Sequence, residues 1–341
     1  MKIGNFDTAE KVFVIAEIGN NHEGSFALAQ ELVGLAAEAG ADAVKFQTFV
    51  PEILAGVDAA RLERLRSFLL TREQFALLAR QAKDLGILFF STPFDLDSAL
   101  FLNGLQPVFK IASGDNTFFP LVDAIAGFAK PLLVSTGLAD VALVRRLHDR
   151  IQGIWERAGV TPGLALLHCV ASYPVPPEQA ALGAIRALRA HFPGAEVGYS
   201  DHTLGIQAAS LAVAAGARII EKHFTIANDH SAFRDHQLSA NPEALRRMVE
   251  EIRAAETMLG PECKVPQACE AACEDAMRRS IAAARDLKAG TVLTLCDLTW
   301  ARPGTGLAPG REALLVGGRL RRDRSLGAQI TQDDIEPGGA A

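Results

Sequence analysis

The chain has 341 residues, 49% of them apolar, with a formal charge of −6 at pH 7 and five cysteines. That length accommodates one large domain and a small one, and so mild an acidity leaves no polybasic field for nucleic acid or anionic lipid. No apolar run reaches transmembrane length, the opening MKIGNFD is too polar for a secretion signal, and an odd cysteine count is no disulfide framework, so a soluble cytoplasmic protein is expected.

Short apolar, β-branched or aromatic runs at 12–18, 43–47, 87–91, 108–111, 132–136, 164–169, 196–200 and 218–223 predict eight strands. Most are continuously apolar, as strands covered by helices on their outer face are. The segments between carry helical spacing; 25–39 sets Leu28, Leu32, Leu35 and Ala36 on one face. Gly40, Gly86 and Gly216 fall where helix ends need a left-handed residue. Eight β/α units in about 250 residues is the size of a (β/α)8 TIM barrel. A doubly wound open sheet is the alternative, but no glycine-rich dinucleotide loop follows the first strand. Helix 242–259 completes the series, with Glu250, Glu251, Arg253 and Glu256 expected on its wet side. These signals divide the chain into a barrel at 1–260, a linker at 261–276 opening on PECKVP, and a small β-rich module at 277–341. Cys263, Cys269 and Cys273 fall in the linker without the CxxC pairs of a zinc site.

In a β/α barrel the chemistry sits at the carboxyl ends of the strands. Those ends carry Glu17, Lys45 with Gln47, Ser91 with Thr92, Lys110 with Ser113 and Asp115, Ser135, His168 with Tyr173, Ser200 to His202, and Glu221 with His223. His202 and His223 close successive strands joined by one helix, which makes them neighbours in space. Two imidazoles with only oxygen ligands nearby suit a divalent metal with open positions; the competing reading is two polar caps on buried strands. Lys45, Lys110 and the Ser/Thr hydroxyls form a cradle for a phosphate or phosphocarboxylate. Glu17, Asp115 and Glu221 are acid/base candidates, and structural pairing with Lys45, Lys110 or Lys222 competes for each.

The runs AEIGNNHEG (16–24), VKFQT (44–48), STPF (91–94), KIASGD (110–115), STG (135–137), SDHT (200–203) and EKHF (221–224) resemble those of the sialic acid (N-acetylneuraminate) synthases, phosphoenolpyruvate-dependent nonulosonic acid synthases. The C-terminal module is similar to their SAF, or antifreeze-like, domain. The resemblance implies a transferase that condenses phosphoenolpyruvate with an open-chain N-acylhexosamine, giving a nine-carbon 2-keto acid and phosphate. It implies a divalent Mn2+ or Mg2+ on His202 and His223. Phosphoenolpyruvate would lie on Lys45, Thr92, Lys110, Ser113, Ser135 and Ser200, with Glu17, Asp115, Lys45 and Lys110 serving catalysis. The sugar would meet Glu17, Gln47, Tyr173 and Asp235, and Arg302 from the other subunit of a domain-swapped homodimer. Neither nucleic acid nor membrane is an expected partner.

Three departures touch the sugar side. Asp115 stands where a glutamate is common, and Ala171 where an asparagine is. The segment between Gln47 and Leu70 is short and is expected to lack a sugar-contacting loop. N-acetylmannosamine, a 2,4-diacylamino-trideoxyhexose and a phosphorylated mannosamine stay open, and a lost amide favours the more deoxygenated sugar. Two other function classes compete: a metal-dependent pyruvate aldolase or lyase on the same barrel, and a non-catalytic carbohydrate- or ice-binding protein.

Overall fold

The computed structural model describes residues 1–336. They form two compact units that divide after Gly260. The first is built on eight parallel strands: β1 (Phe13–Gly19), β2 (Ala43–Thr48), β3 (Leu88–Pro93), β4 (Phe109–Ile111), β5 (Leu132–Ser135), β6 (Leu164–Cys169), β7 (Glu196–Asp201) and β8 (Ile219–His223). Their hydrogen-bonded order is β3-β2-β1-β8-β7-β6-β5-β4. The two ends of that order, β3 and β4, lie side by side. At this seam the Ser91 N–H donates to the buried Gln106 Oε1 at 2.7 Å, so a side chain takes the place of a ladder bond. This is the expected TIM-type barrel, closed except for one seam.

Helices follow the strands in turn: α1 (Phe26–Glu38), α2 (Arg72–Asp84), α3 (Leu96–Asn103), α4 (Phe119–Gly127), α5 (Val141–Ala158), α6 (Gly183–His191), α7 (Gln207–Ala214) and α8 (Pro242–Leu259). Their starts are specified locally. Ser25 caps α1, Thr71 and Gln74 make a reciprocal capping box on α2, and Asn241 caps α8 with Pro242 in its first turn. Gly40, Gly86 and Gly216 have φ of 87°, 78° and 102°, the left-handed geometry that turns a helix end into the next strand.

Period-two alternation sorts each strand into an outer and an inner row. Outer residues such as Val14, Val44, Phe46, Phe89, Leu166 and Ile220 pack against the helices. Inner residues of the lower half, among them Phe13, Ile15, Ala43, Phe90, Leu133, Leu167 and Ile219, fill the barrel from wall to wall. An N-terminal hairpin, Lys2–Ile3 paired with Phe6–Asp7, plugs the bottom through Ile3 and Phe6. The sequence shows no strand there, because two-residue strands carry no period. A second difference lies on α8. Arg253 bonds Asp42 and the Val12 carbonyl, and Glu256 accepts the Val12 N–H at 2.6 Å. These two side chains clamp the start of β1 rather than face water.

Two connections are longer than the others. Between β2 and α2 lie the short helices Pro51–Ala55 and Ala59–Ser67; between β8 and α8 lies Arg234–Leu238. Leu65 and Phe68 of the first connection pack with Phe49 and Ala55, and with Phe233 of the second.

The second unit has antiparallel strands β9 (Ser280–Ala283) and β10 (Leu298–Ala301) over a small core of Ile281, Leu287, Leu293, Leu298, Leu315, Leu320 and Ile330. Buried Asp334 accepts from Arg322 at 2.7 Å and from Arg324. Among the described residues no helix is long and apolar enough to cross a membrane.

Candidate active site

Above the apolar floor the inward row changes chemistry. Continuing each strand by two residues replaces Ile15 with Glu17, Ala43 with Lys45, Leu133 with Ser135, and Ile219 with Glu221 and then His223. These side chains line a cavity of about 410 Å³ at the carboxyl ends of the strands. It also takes in Gln47, Thr92, Lys110, Ser113, Cys169, Tyr173, Ser200, His202 and Asp235.

Its deepest part is a buried network of two cations and two carboxylates. Lys45 Nζ lies 2.7 Å from Glu17 Oε2 and 3.6 Å from Glu221 Oε2, and Lys110 Nζ lies 3.8 Å from Glu221 Oε1. Hydroxyls fill the remaining positions. Lys45 donates to Thr92 at 3.0 Å, Lys110 to Ser135 at 2.6 Å, and Ser200 to Glu221 at 2.8 Å. Burial works against the Lys45 charge, but Glu17 and Glu221 more than offset it and hold its pKa above the ordinary value. Glu221 is held below the usual carboxylate range by Lys110 and Lys45, against the opposing effect of burial. Burial draws Lys110 down. The lysines expected to cradle an anion are thus the same groups that pair with Glu17 and Glu221 in this structure.

Ser113 enters through a close approach. A Cβ at Gly137 would stand 2.6 Å from Ser113 Oγ, and the Gly137 N–H donates to that oxygen at 3.2 Å. Asp115, two residues on, lies beside the cavity and outside its lining. Its Oδ2 is buried without a hydrogen-bond partner. Burial raises its pKa to about 6 while Lys110 pulls the other way.

His202 and His223 meet on the opposite side, with ring centroids 5.4 Å apart. Tyr173 packs on His202 with ring centroids 4.1 Å apart and planes tilted by 32°, and meets His223 edge-on at 5.9 Å. His202 Nδ1 bonds the Val170 carbonyl at 2.9 Å, which orients the ring and leaves Nε2 free. Burial opposes protonation of His202, but the Cys169 thiol and the Val170 carbonyl outweigh it and raise its pKa. Burial, then His202 and Lys45, hold His223 well below its ordinary value, so that ring is a neutral imidazole. Its buried Nδ1 has no partner. Among the described residues no group of three or more His, Cys, Asp or Glu side chains is arranged to hold a metal. What is present is a two-nitrogen donor pair, one nitrogen of it orphaned, which fits a divalent ion whose other ligands are oxygens of water or substrate.

Asp201 and Lys222 alternate to the outer face. Their side chains pair at 3.0 Å and are completely buried, so Lys222 belongs to the scaffold. Arg302 lies exposed in the second unit, beside Pro303. The segment between Gln47 and Leu70, expected to lack a sugar-contacting loop, carries two short helices, and its Leu54, Arg61, Arg64, Leu65 and Phe68 line the cavity. Arg234 was missed as well; its guanidinium lies 4.8 Å from the Tyr173 ring centroid. Arg61 and Arg64, three apart, share a helix face, but nothing in sequence tells which way that face turns.

The NeuB family model matches residues 32–264 and the SAF domain model residues 278–336. The N,N'-diacetyllegionaminic acid synthase of Legionella pneumophila is 40% identical, covering 95% of this chain and 94% of its own. The pseudaminic acid synthase of Campylobacter jejuni is 33% identical over 98% of this chain and the whole of its own, 100%. Among solved structures, the N-acetylneuraminic acid (sialic acid) synthetase of Leptospira borgpetersenii superposes with a TM-score of 0.75 at 34% identity, covering 79% of this chain and 93% of that one.

Proposed function

The chain belongs to the NeuB family, and from that premise we propose that it condenses phosphoenolpyruvate with an open-chain N-acylhexosamine, releasing phosphate and forming a nine-carbon 2-keto acid. The observation that carries the reading is a buried pair of ammonium groups, Lys45 and Lys110, in the same cavity as the His202–His223 pair. One seats a small polyanion and the other a carbonyl to be attacked.

Phosphoenolpyruvate displaces Glu17 and Glu221 from the lysines and takes donors from Thr92, Ser113, Ser135 and Ser200, all at the same rim. Fixing it there supplies the orientation term of a bimolecular reaction. Glu17, Gln47, Tyr173 and Asp235 line the side left for the sugar. A Mn2+ or Mg2+ ion on His202 and His223 would supply Lewis-acid activation of the aldehyde, and loading it would release the proton that His202 favours. Carbon 3 of phosphoenolpyruvate bonds to the aldehyde carbon as the carbonyl π pair moves onto its oxygen, which becomes a hydroxyl with the proton that the attacking water gives up through the carboxylate. The positive centre left at carbon 2 takes up water, whose proton goes to a carboxylate. Phosphate then leaves with the original ester oxygen. Asp115, next to the cavity-lining Ser113 and Gly114, is the proton acceptor in this account, because its carboxyl has no cation in contact and a pKa raised to about 6 by burial. Arg302 reaches the acylamino oxygen from the partner of a homodimer in a cytoplasmic setting.

The experiment is turnover with N-acylhexosamines, followed by phosphate release and product mass. Phosphoenolpyruvate is expected to give phosphate and a product heavier than the acceptor by one pyruvate unit. Turnover with pyruvate and none with phosphoenolpyruvate would establish the aldolase reading instead.

A further inference from the structure

The cavity changes character between floor and mouth. At the floor each charged side chain is engaged: Lys45 with Glu17, Lys110 with Ser135, Glu221 with Ser200. At the mouth, Arg61 and Arg64 line the cavity from helix Ala59–Ser67, and among the described residues no hydrogen bond or ion pair holds either guanidinium. Arg66 of the same helix is held by Glu52 and Glu63 at 2.8 and 3.0 Å. Arg234 comes from the other long connection and reaches Asp235 only at 3.4 Å. Phe68 and Phe233, ring centroids 5.0 Å apart, fasten the two connections together, so the three arginines border one opening. Arg64 and Arg234 also share a side opening of about 560 Å³. Five basic side chains line the main cavity against the three carboxylates of Glu17, Glu221 and Asp235, in a chain whose net charge is −6.

We infer that Arg61, Arg64 and Arg234 form a subsite for an anionic group on the acceptor, and that the acceptor is an N-acylhexosamine carrying a phosphomonoester at the end remote from its aldehyde. The inference rests on the condensation reading, which puts the aldehyde by the histidines and sends the rest of the open chain toward the mouth. A lone unpaired surface arginine is ordinary. Three guanidiniums around the only end of the acceptor not consumed by chemistry are a recognition device, since planar forks bind a tetrahedral oxyanion with several charge-assisted bonds at once. They outweigh the single amide missing at Ala171, which had favoured a deoxygenated sugar. Steering of phosphoenolpyruvate toward the lysines is the competing role.

The test compares N-acetylmannosamine with its 6-phosphate, at saturating phosphoenolpyruvate, in the wild type, the R61Q/R64Q double variant and R66Q. The wild type is expected to favour the phosphorylated acceptor in kcat/KM by roughly 10- to 100-fold. R61Q/R64Q is expected to collapse that ratio through the KM of the phosphorylated acceptor, and R66Q to keep it. Preference for the neutral sugar, or a double variant that raises the KM for phosphoenolpyruvate while the acceptor ratio stands, overturns the inference and leaves the condensation intact. Absence of phosphate release with both acceptors overturns the condensation reading and the inference with it.

Discussion

Asp115 is the residue on which a proton-transfer assignment can be tested. Its carboxyl, pushed up to about 6 by burial against the pull of Lys110, is protonated below that pH and cannot accept a proton there. Turnover is therefore expected to fall as pH drops through about 6. Asp115→Asn should remove that limb from the profile and lower kcat by about 10²- to 10⁴-fold. An unchanged acid limb in the variant would move the role to Glu17. The stability contribution has its own sign. A carboxyl whose pKa is raised by folding stabilises the folded chain below the ordinary carboxylate range, and that contribution is lost as pH climbs through about 6.

At the scale of elements, the barrel was legible because both of its periods are written in the chain. Apolar runs broken by capped helical segments give eight units, and the observed strands end within a residue or two of the expected ones. The site was legible for the same reason: Glu17, Lys45, Lys110, Ser135, Ser200, Glu221 and His223 are polar intrusions at the ends of such runs. The same alternation turns Lys222 outward, which a list of strand-end residues does not reveal without the phase. Arg61, Arg64 and Arg234 were hidden because they stand on connections placed by tertiary packing, Leu65 and Phe68 against Phe49, Ala55 and Phe233. The Asp201–Lys222 pair carries a prediction at this scale. Both side chains are 0% exposed, and Asp201 also accepts from Tyr199 and Thr203. Lys222→Met leaves a buried carboxylate without its cation and should cost about 3–5 kcal/mol. Urea unfolding measures this, and a loss under about 1 kcal/mol would mean that the three hydroxyl and N–H donors suffice.

For the whole molecule, the family relation accounts for both units, and the proposal adds how they cooperate. If Arg302 serves the partner's cavity, Arg302→Ala and Lys110→Ala chains are each impaired alone and complementary together. Half the dimers of an equal mixture are mixed, and each mixed dimer holds one intact site, so about one quarter of wild-type activity should return. No recovery in verified mixed dimers would assign every site to a single chain.

The account turns on His202 and His223 acting as one donor pair. Bound manganese per chain, measured after equilibrium dialysis of the wild type, His202→Ala and His223→Ala, tests this most directly. About one ion in the wild type, and loss in both variants with the fold retained, is the expected result for a site with two protein ligands. Full occupancy in both variants would contradict it.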